Sequence, residues 1–338
     1  MAREGAKHGD SPALYAGGDR PFWIDHVPLS WRPFIQLTRT NFAAPVLLPY
    51  FPHMWGVLQT AIVQQNRHDD QHGPFALRDV VRVCILLLGV NVASSTAAHA
   101  WDDIVDAPLD RQMARSRNRP VARGAVGVRA ALAFAAAQAL AAALVLLLLL
   151  PRGAAVCALP SAAVCVYYPL AKRHTHLPQL VLGLGMGWGV VTGSAGLAGG
   201  PAREAWADAA RLALVAACAL WTVVYDTIYA RIDVAEDLRL GLGSTAVLFR
   251  RRTKPFLGWL LGAMGVSLWY CGFVSDMGLC YYLVAVGGSC ASIGWMIYQV
   301  DLDSTKSCYR WFSRGFWLPA LAITVGLGLE LAASPMEF

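Results

Sequence analysis

Charged residues are scarce in this chain, and their scarcity argues against a soluble globular protein. Only 15% of the 338 residues are charged, whereas 56% are hydrophobic, and the mean hydropathy is +0.45. Apolar stretches of at least the length that crosses a bilayer, about 20 residues, recur along the whole sequence. We place nine of them at roughly 33–64, 77–101, 128–150, 153–169, 178–200, 206–230, 255–274, 277–299 and 315–333. The pattern predicts an all-α polytopic membrane protein with nine transmembrane helices.

Two further absences narrow the class of protein. The eight cysteines contain no Cys-x-x-Cys pair and nearly all lie inside apolar stretches, which is typical of small core residues rather than of disulfides or zinc ligands. The first 30 residues contain no apolar run and mix acidic with basic side chains, so they match neither a secretory signal nor a mitochondrial presequence. We therefore expect a flexible cytosolic arm over residues 1–30, a single transmembrane domain over residues 31–338, and no nucleic-acid partner.

Lysine and arginine are distributed unevenly between the two sides of the predicted bundle. Alternating the nine stretches across a bilayer puts 22 of the 28 basic residues on one side and six on the other. Because cytosolic loops collect Lys and Arg, the richer side is predicted to face the cytosol. The ends of the second and sixth stretches fall on that side too. We expect a multi-pass protein of the endoplasmic reticulum whose site faces the cytosol.

Seven aspartates and Glu236, of the 22 acidic residues, fall in two short segments at those same ends. The aspartates are Asp102, Asp103, Asp106 and Asp110 in the first segment and Asp226, Asp233 and Asp237 in the second. Spacings of three, four and seven residues align carboxylates along one face of a helix. Pro108 predicts that the helix is irregular near its end and that Asp110 lies where it opens into the loop. Crowded carboxylates repel one another, and Mg²⁺ takes oxygen ligands that it shares with phosphates. The alternative is a pair of solvated acidic helix ends, but two such stripes on one face favour one diphosphate between two magnesium-loaded walls.

The diphosphate hypothesis also predicts cationic and aromatic partners. Basic runs follow each acidic segment, and most are typical of anchors at the membrane surface; Lys172 and Arg119 are the preferred contacts to a departing diphosphate. Metal ions and cations assist the loss of an allylic diphosphate, and the resulting carbocation needs an apolar tunnel. Aromatic π faces could stabilise that cation, although helix packing or an interfacial belt explains any single ring as well. The candidates are Trp101, Tyr168, Tyr225 and Tyr229.

Several motifs, in consistent order over roughly residues 30 to 335, resemble the UbiA superfamily of membrane prenyltransferases. One is Asp-Asp-x-x-Asp-x-x-x-Asp from residue 102, followed by Asn118-Arg119-Pro120. Another is Tyr-Asp-Thr-Ile-Tyr-Ala from residue 225, followed by Gly-x-x-Ser-Thr-Ala from residue 241. The stretch 168–173, the Pro-Gln pair at 178 and the opening Leu-Thr-Arg at 37 are similar to the 4-hydroxybenzoate polyprenyltransferase branch.

The resemblance implies a nine-helix bundle with a cytosolic cap over a central cavity. It implies that magnesium-bound diphosphate is held by Asp102, Asp103, Asp106 and Asp110 on one side and by Asp233 and Asp237 on the other. Asp103, Asp106, Asp233, Asp237 and Lys172 would carry catalysis. Asn118, Arg119, Tyr168, Asp226 and Tyr229 would contact the substrates or support the second wall.

The departures from the family pattern concern the acceptor. The first motif begins with Asp102 instead of the usual Asn, and the position where the benzoate branch has an Arg is Ser95 here. The Lys-Pro pair that usually follows the opening Arg is Phe-Ala at 42–43. A carboxylate in a partly apolar cavity needs a fixed cation, which leaves Arg39 as the nearest candidate. His99 is a pocket candidate for a different phenol; the alternative is a packed helix histidine.

Several functions stay open at this point. We favour an aromatic prenyltransferase that attaches a farnesyl or similar chain to a polyketide-derived phenol. Such an enzyme would resemble the fungal meroterpenoid members of the family. A UbiA-type terpene cyclase would use the same metal walls but quench the cation internally. A ubiquinone-pathway 4-hydroxybenzoate polyprenyltransferase would share the chemistry with another acceptor. A non-enzymatic scaffold or transporter would use the acidic segments only to bind ions.

Overall fold

The computed structural model describes residues 24, 26–40, 44–66, 74–200 and 202–333, and the described residues form helices without any β-strand. Most of the predicted arm over residues 1–30 lies outside these ranges, as does the Phe-Ala pair at 42–43. The helices are α1 Arg32–Thr38, α2 Ala44–Asn66, α3 Leu77–Asp110, α4 Val128–Leu149, α5 Arg152–Ala171, α6 Pro178–Gly187, α7 Gly189–Ala198, α8 Ala202–Ala207, α9 Ala209–Ala230, α10 Val234–Leu240, α11 Thr245–Leu248, α12 Thr253–Val274, α13 Ser289–Gln299, α14 Thr305–Arg314 and α15 Trp317–Ala333. A π-helical stretch, Tyr281–Gly288, precedes α13.

Nine helical segments within the described residues are long and apolar enough to cross a membrane, and each overlaps one of the nine predicted stretches. They are Ala44–Asn66, Leu77–Asp110, Val128–Leu149, Arg152–Ala171, Pro178–Ala198, Ala209–Leu240, Thr253–Val274, Tyr281–Gln299 and Thr305–Ala333. The prediction of an all-α polytopic membrane protein is therefore confirmed. The first predicted stretch is divided, because α1 ends at Thr38 and α2 begins only at Ala44.

The nine spans differ in how much of their surface is covered by protein. In Ala209–Leu240, 78% of the most apolar stretch is buried, whereas the value is 22% in Arg152–Ala171. Helix α9 packs against α6, α12 and α14, and the small residues of its first half allow neighbouring helices to approach closely. The apolar surface of α5 is left largely exposed, as expected of a helix that faces lipid.

Contacts between residues divide the chain into two compact units. Within the described ranges, unit 1 comprises residues up to 40 and 96–137, and unit 2 comprises residues 44–95 and 138–333. The hydrophobic core of unit 1 joins α1, the last turns of α3 and the start of α4. Its members are Leu37, Ala100, Ala107, Val121, Val126, Ala131 and Ala135, with Phe34, Ile104 and Phe134 packed against them. The boundary of a single domain over residues 31–338 stays a prediction.

Two local predictions about the acidic segments are wrong. The predicted irregularity at Pro108 is absent, because α3 continues through it and the Arg111 amide still donates to the Ala107 carbonyl at 3.3 Å. Asp110 is the last residue of α3 and does lie where the helix opens into the loop, as predicted. In the second segment, a 3₁₀ turn at Arg231–Asp233 separates α9 from α10. Such a turn winds by about 120° per residue instead of about 100°. Asp226, Asp233 and Asp237 therefore do not form one stripe on a continuous α-helix.

Candidate active site

The first acidic segment is the C-terminal end of α3 in unit 1. The residues Asp103, Asp106 and Asp110 are only 1%, 3% and 2% exposed, whereas the side chain of Asp102 is 15% exposed. Helical spacing puts Asp103, Asp106 and Asp110 on one side of α3, as predicted. Buried carboxylates of this number require compensating positive charge. Two arginines from other parts of unit 1 supply it.

Arg39 is the first of these arginines. It ends α1 in a left-handed backbone conformation, with φ of 52°. Its Nη2 donates to Asp102 Oδ2 at 2.7 Å and to Asp103 Oδ1 at 2.6 Å. Burial alone would lower the pKa of the Arg39 guanidinium, but the carboxylates of Asp103 and Asp102 raise it above its ordinary value. The sequence predicts an acceptor contact for Arg39, whereas the structure places its guanidinium on the carboxylates.

Arg119 is the second, and it lies in the segment between α3 and α4. Its Nη1 donates to both Asp110 oxygens, at 3.1 and 3.0 Å. The same nitrogen lies 3.5 Å from Asp102 Oδ2 and 3.7 Å from Asp103 Oδ1. Its buried Nε finds no hydrogen-bond partner in the described part of the chain. Arg119 therefore joins the two ends of the acidic segment through one nitrogen.

The rest of this segment orders the backbone around Arg119. Asn118 is half-buried, and its carbonyl accepts a short hydrogen bond from Arg123 Nη1. Arg123 also donates through Nη2 to Gln36 Oε1 of α1 at 2.5 Å, and Arg111 donates to the Ala122 carbonyl at 3.0 Å. Some arginines after α3 therefore have a structural role. Arg123 connects the segment that carries Arg119 to α1, and Arg111 and Arg123 form hydrogen bonds within that segment.

The donor set of the first segment fits a divalent cation by chemistry. Carboxylate oxygens are the ligands that Mg²⁺ prefers, and the segment offers four carboxylates within nine residues. No group of three or more His, Cys, Asp or Glu side chains stands close enough to hold a metal in the described ranges. In this arrangement, guanidinium groups from Arg39 and Arg119 occupy positions beside the carboxylates instead.

The second acidic segment lies in unit 2. Asp226 near the end of α9 and Asp237 in α10 are each 8% exposed, and Asp233 in the intervening turn is half-buried. Gly241 ends α10 with φ of 68°, a conformation that favours glycine. The three carboxylates therefore lie near the end of α9, in the 3₁₀ turn and in α10, and the helix is interrupted between the first and the last of them.

Three motif stretches of unit 2 are fastened together by hydrogen bonds. The amide of Gly243 donates to the Lys172 carbonyl at 2.8 Å, and the amide of Thr245 donates to Gln179 Oε1 at 2.9 Å. The hydroxyls of Thr245 and Thr227, the latter next to Asp226, are 2.6 Å apart. A Cβ at Gly243 would collide with the Thr175 carbonyl. The Gly-x-x-Ser-Thr-Ala motif therefore joins the backbone of Lys172 to Thr227 of α9. The sequence motifs contain Gln179, Thr227 and Thr245, but the motifs alone do not predict these hydrogen bonds.

The aromatic candidates fall into two groups. Tyr225 is buried, its hydroxyl 3.1 Å from the Met186 sulfur, between Trp221 and Phe312. Tyr229 is half-buried and its ring stacks on Phe312 with centroids 4.0 Å apart. Trp101 and Tyr168 are half-buried in α3 and α5. Tyr225 is a packing residue, whereas the other three keep some exposed surface.

The two acceptor candidates on α3 differ. Ser95 is buried, and its hydroxyl donates to the Pro45 carbonyl of α2 at 2.5 Å. It ties α3 to α2 and carries no positive charge. The Nε2 of His99 is buried with no hydrogen-bond partner in the described residues. An unsatisfied buried nitrogen is costly, but a ligand contact for His99 stays a prediction.

A family model described as the UbiA prenyltransferase family matches residues 70–319. A mitochondrial 4-hydroxybenzoate polyprenyltransferase of Schizosaccharomyces pombe is 32% identical over 86% of this chain and 78% of that protein. A UbiA prenyltransferase, claS, of Ampulloclitocybe clavipes is also 32% identical, over 89% of this chain and 91% of that protein. Among solved structures, an apo UbiA homologue of Aeropyrum pernix aligns with a TM-score of 0.65 at 23% identity over 85% of this chain and 98% of that one. A homologue of Archaeoglobus fulgidus, bound to DMAPP and Mg²⁺, aligns with a TM-score of 0.56 at 15% identity over 88% and 99%. At these sequence identities, the two solved structures show that the chain shares their fold.

Proposed function

Because the chain belongs to the UbiA prenyltransferase family, we propose that it is an aromatic prenyltransferase that uses Mg²⁺ to transfer a farnesyl group from its diphosphate to a ring carbon of a phenolic acceptor. The observation that carries this proposal is the buried carboxylate set at the end of α3, with two arginines placed on it. A protein that needed only stability would gain little from burying so many carboxylates.

The proposed roles of the carboxylates follow from their chemistry. Asp102, Asp103, Asp106 and Asp110 would hold Mg²⁺ on one wall, and Asp233 and Asp237 on the other. Bound magnesium supplies positive charge that stabilises the departing diphosphate. Asp226 is fixed beside Thr227, whose hydroxyl contacts that of Thr245, so we assign it to supporting the second wall.

Cationic side chains complete the proposed diphosphate site. Lys172 lies where its backbone is fastened to Gly243, and Arg119 has a buried Nε without a partner in the described residues. We assign both to the negative charge that develops on the leaving group. Arg39 balances Asp102 and Asp103 in the structure, so we assign it to that wall in place of its expected acceptor role. Asn118, whose carbonyl accepts from Arg123, positions the Arg119 segment.

The acceptor is proposed to be a substituted, polyketide-derived phenol. Ser95 carries no charge and its hydroxyl is engaged by Pro45, and the Arg39 guanidinium is engaged by two carboxylates. Neither residue is then available as a cation for the carboxylate of 4-hydroxybenzoate, which loses hydration when it enters an apolar cavity. Tyr168, Tyr229 and His99 keep surface or polar atoms that could face the prenyl cation or the phenol.

Membranes that contain the protein should convert labelled farnesyl diphosphate to a prenylated phenol only when magnesium and a phenolic acceptor are both present. A substituted phenol without a carboxylate should be used at least about tenfold better than 4-hydroxybenzoate, since an unpaired buried charge costs more than about 1.4 kcal/mol. Product identity is read by mass spectrometry. Cyclic hydrocarbons formed without acceptor would indicate a terpene cyclase, and absence of any turnover would indicate a scaffold or transporter. Preferential use of 4-hydroxybenzoate would contradict the proposed acceptor alone.

We propose the endoplasmic reticulum as the membrane, with both acidic segments facing the cytosol; the distribution of Lys and Arg supports this orientation. In sealed microsomes, a cysteine at Arg117 or Arg250 should react with an impermeant maleimide. A cysteine at Asp276 should react only after permeabilisation. All three positions are exposed, and the exposed Cys165 and Cys280 are first replaced by serine. Labelling of Arg117 and Arg250 positions from opposite sides would exclude one shared diphosphate site.

A further inference from the structure

A basic groove in unit 2 overlaps the second acidic segment in sequence, but neither Asp233 nor Asp237 lines it, and the proposed reaction gives it no role. It has a volume of about 510 Å³ and is built from three stretches of chain: 231–238, 250–251 and 302–305. Three arginines, Arg231, Arg250 and Arg251, face one acidic residue, Asp303. The groove therefore carries an excess of positive charge.

The arginines of this groove differ in how they are held. Arg231 is oriented by its own contacts: it donates to the carbonyls of Leu302 and Arg250, and its Nη2 lies 3.1 Å from Asp303 Oδ1. Arg250 and Arg251 are exposed, and their side chains have no ion-pair or hydrogen-bond partner among the described residues. The guanidinium of Arg231 is thus held in place, and those of Arg250 and Arg251 are available to bind an anion. Guanidinium groups are well suited to phosphate oxygens, which they bind in a planar, two-pronged geometry.

The remaining lining of the groove is apolar. Ile232, Val234 and Leu238 line it beside the arginines, and Leu238 is 46% exposed. A small hydrophilic anion would gain nothing from these side chains. A molecule with a phosphate next to a hydrocarbon chain would satisfy both parts of the surface.

The position of the groove along the chain points to a membrane lipid. Each of its three stretches lies at an end of a candidate span: at the end of Ala209–Leu240, just before Thr253–Val274, and at the start of Thr305–Ala333. Helix ends at a bilayer surface lie at the depth of the phospholipid headgroups. Basic pockets between helix ends are known generally to bind anionic headgroups.

We propose that this groove binds an anionic phospholipid, with its phosphate on Arg250 and Arg251 and the start of its acyl chain along Ile232, Val234 and Leu238. The site is distinct from the proposed diphosphate walls and does not depend on them. At about 100° per residue along α10, the mean direction of Val234, Ala235 and Leu238 lies about 100° from that of Asp237. The lipid would thus contact a side of α10 next to the one that carries Asp237.

The test is equilibrium binding of phosphatidylglycerol to the full-length protein in neutral detergent. The double substitution Arg250→Gln/Arg251→Gln should weaken binding about 30-fold, because each basic residue near a lipid headgroup contributes about 1 kcal/mol. The matched control is Arg129→Gln/Arg252→Gln, which removes the same charge from two exposed arginines outside the groove. It should change the affinity less than about twofold. Saturating phosphatidylglycerol should also raise the Tm of the wild type more than that of the groove variant.

Three results would overturn the proposal. Equal loss of affinity in both double variants would show attraction by net charge alone. Binding of phosphatidylcholine as tight as that of phosphatidylglycerol would show that the arginines do not select the ligand. Binding of inorganic phosphate as tight as that of the lipid, lost in the groove variant, would assign the groove to a small anion. All the substituted arginines are exposed, so folding should be retained, and size-exclusion chromatography checks this.

Discussion

Replacing Asp103 by asparagine should lower the rate of prenyl transfer by about 100-fold or more while the protein stays folded in detergent. Removal of one group that stabilises charge developing in the transition state typically has an effect of about that size. Asp103 is 1% exposed and receives Arg39 at 2.6 Å, and asparagine keeps its shape but not its charge. Asp106→Asn and Asp237→Asn should behave alike. The rate is measured with labelled farnesyl diphosphate at saturating magnesium.

Asp79→Asn is the matched control, since Asp79 lies in the first turn of the same helix α3, and it should leave the rate within about twofold, as expected of a change away from the reacting groups. Asp102→Asn should have an intermediate effect, because Asp102 is the most exposed of the four carboxylates of the first segment and stands where the family's motif usually begins with Asn. Rates near wild type in all of Asp103→Asn, Asp106→Asn and Asp237→Asn would refute the two-wall proposal, whatever the acceptor.

Replacing Arg119 by glutamine should lower the free energy of unfolding by about 3–5 kcal/mol, because it removes one partner of a buried ion pair. Its Nη1 contacts both oxygens of Asp110, which is 2% exposed, so the substitution leaves that carboxylate buried and uncompensated. The Tm in detergent reports the loss. Arg117→Gln, two residues away and exposed, should leave the Tm unchanged.

The double variant Arg119→Gln/Asp110→Asn separates stability from function. Removing the carboxylate together with its partner should recover much of the lost stability, because no isolated charge stays buried. Prenyl transfer should stay low, since both groups are assigned to the diphosphate site. Recovery of activity along with Tm would show that Arg119 and Asp110 are only a structural pair.

The helical framework could be predicted from the sequence because apolar runs of span length leave a chain few alternatives in a bilayer. Helix ends were harder to place. Helix α3 extends through Pro108 to Asp110, and the hydrogen bond from Arg111 to Ala107 is kept beyond the proline. The break at Arg231–Asp233 has no Gly or Pro to signal it, because Ala230 to Asp237 contains neither. Spacing alone therefore suggested a continuous stripe.

The positions of the acidic residues could also be predicted, because four aspartates at the end of an apolar stretch are conspicuous. Their cationic partners could not. Arg39 lies 63 and 64 residues before Asp102 and Asp103, and only the folded unit 1 shows that the end of α1 reaches α3. Likewise, nothing local to Gly243 or Gln179 indicates that both contact residues about 65 to 70 positions away in sequence.

The unequal burial of the spans has a consequence for how freely each can vary. Hydropathy treats Arg152–Ala171 and Ala209–Leu240 as equivalent, yet 22% of one and 78% of the other is covered by protein. At lipid-facing positions of α5, a codon library should yield almost any apolar side chain, because lipid adapts to shape. At buried positions of α9, such as Trp221 and Val224, neighbouring side chains do not adapt, and even apolar exchanges of different volume are destabilising. Mutational tolerance should therefore distinguish lipid-facing from central helices of equal hydropathy.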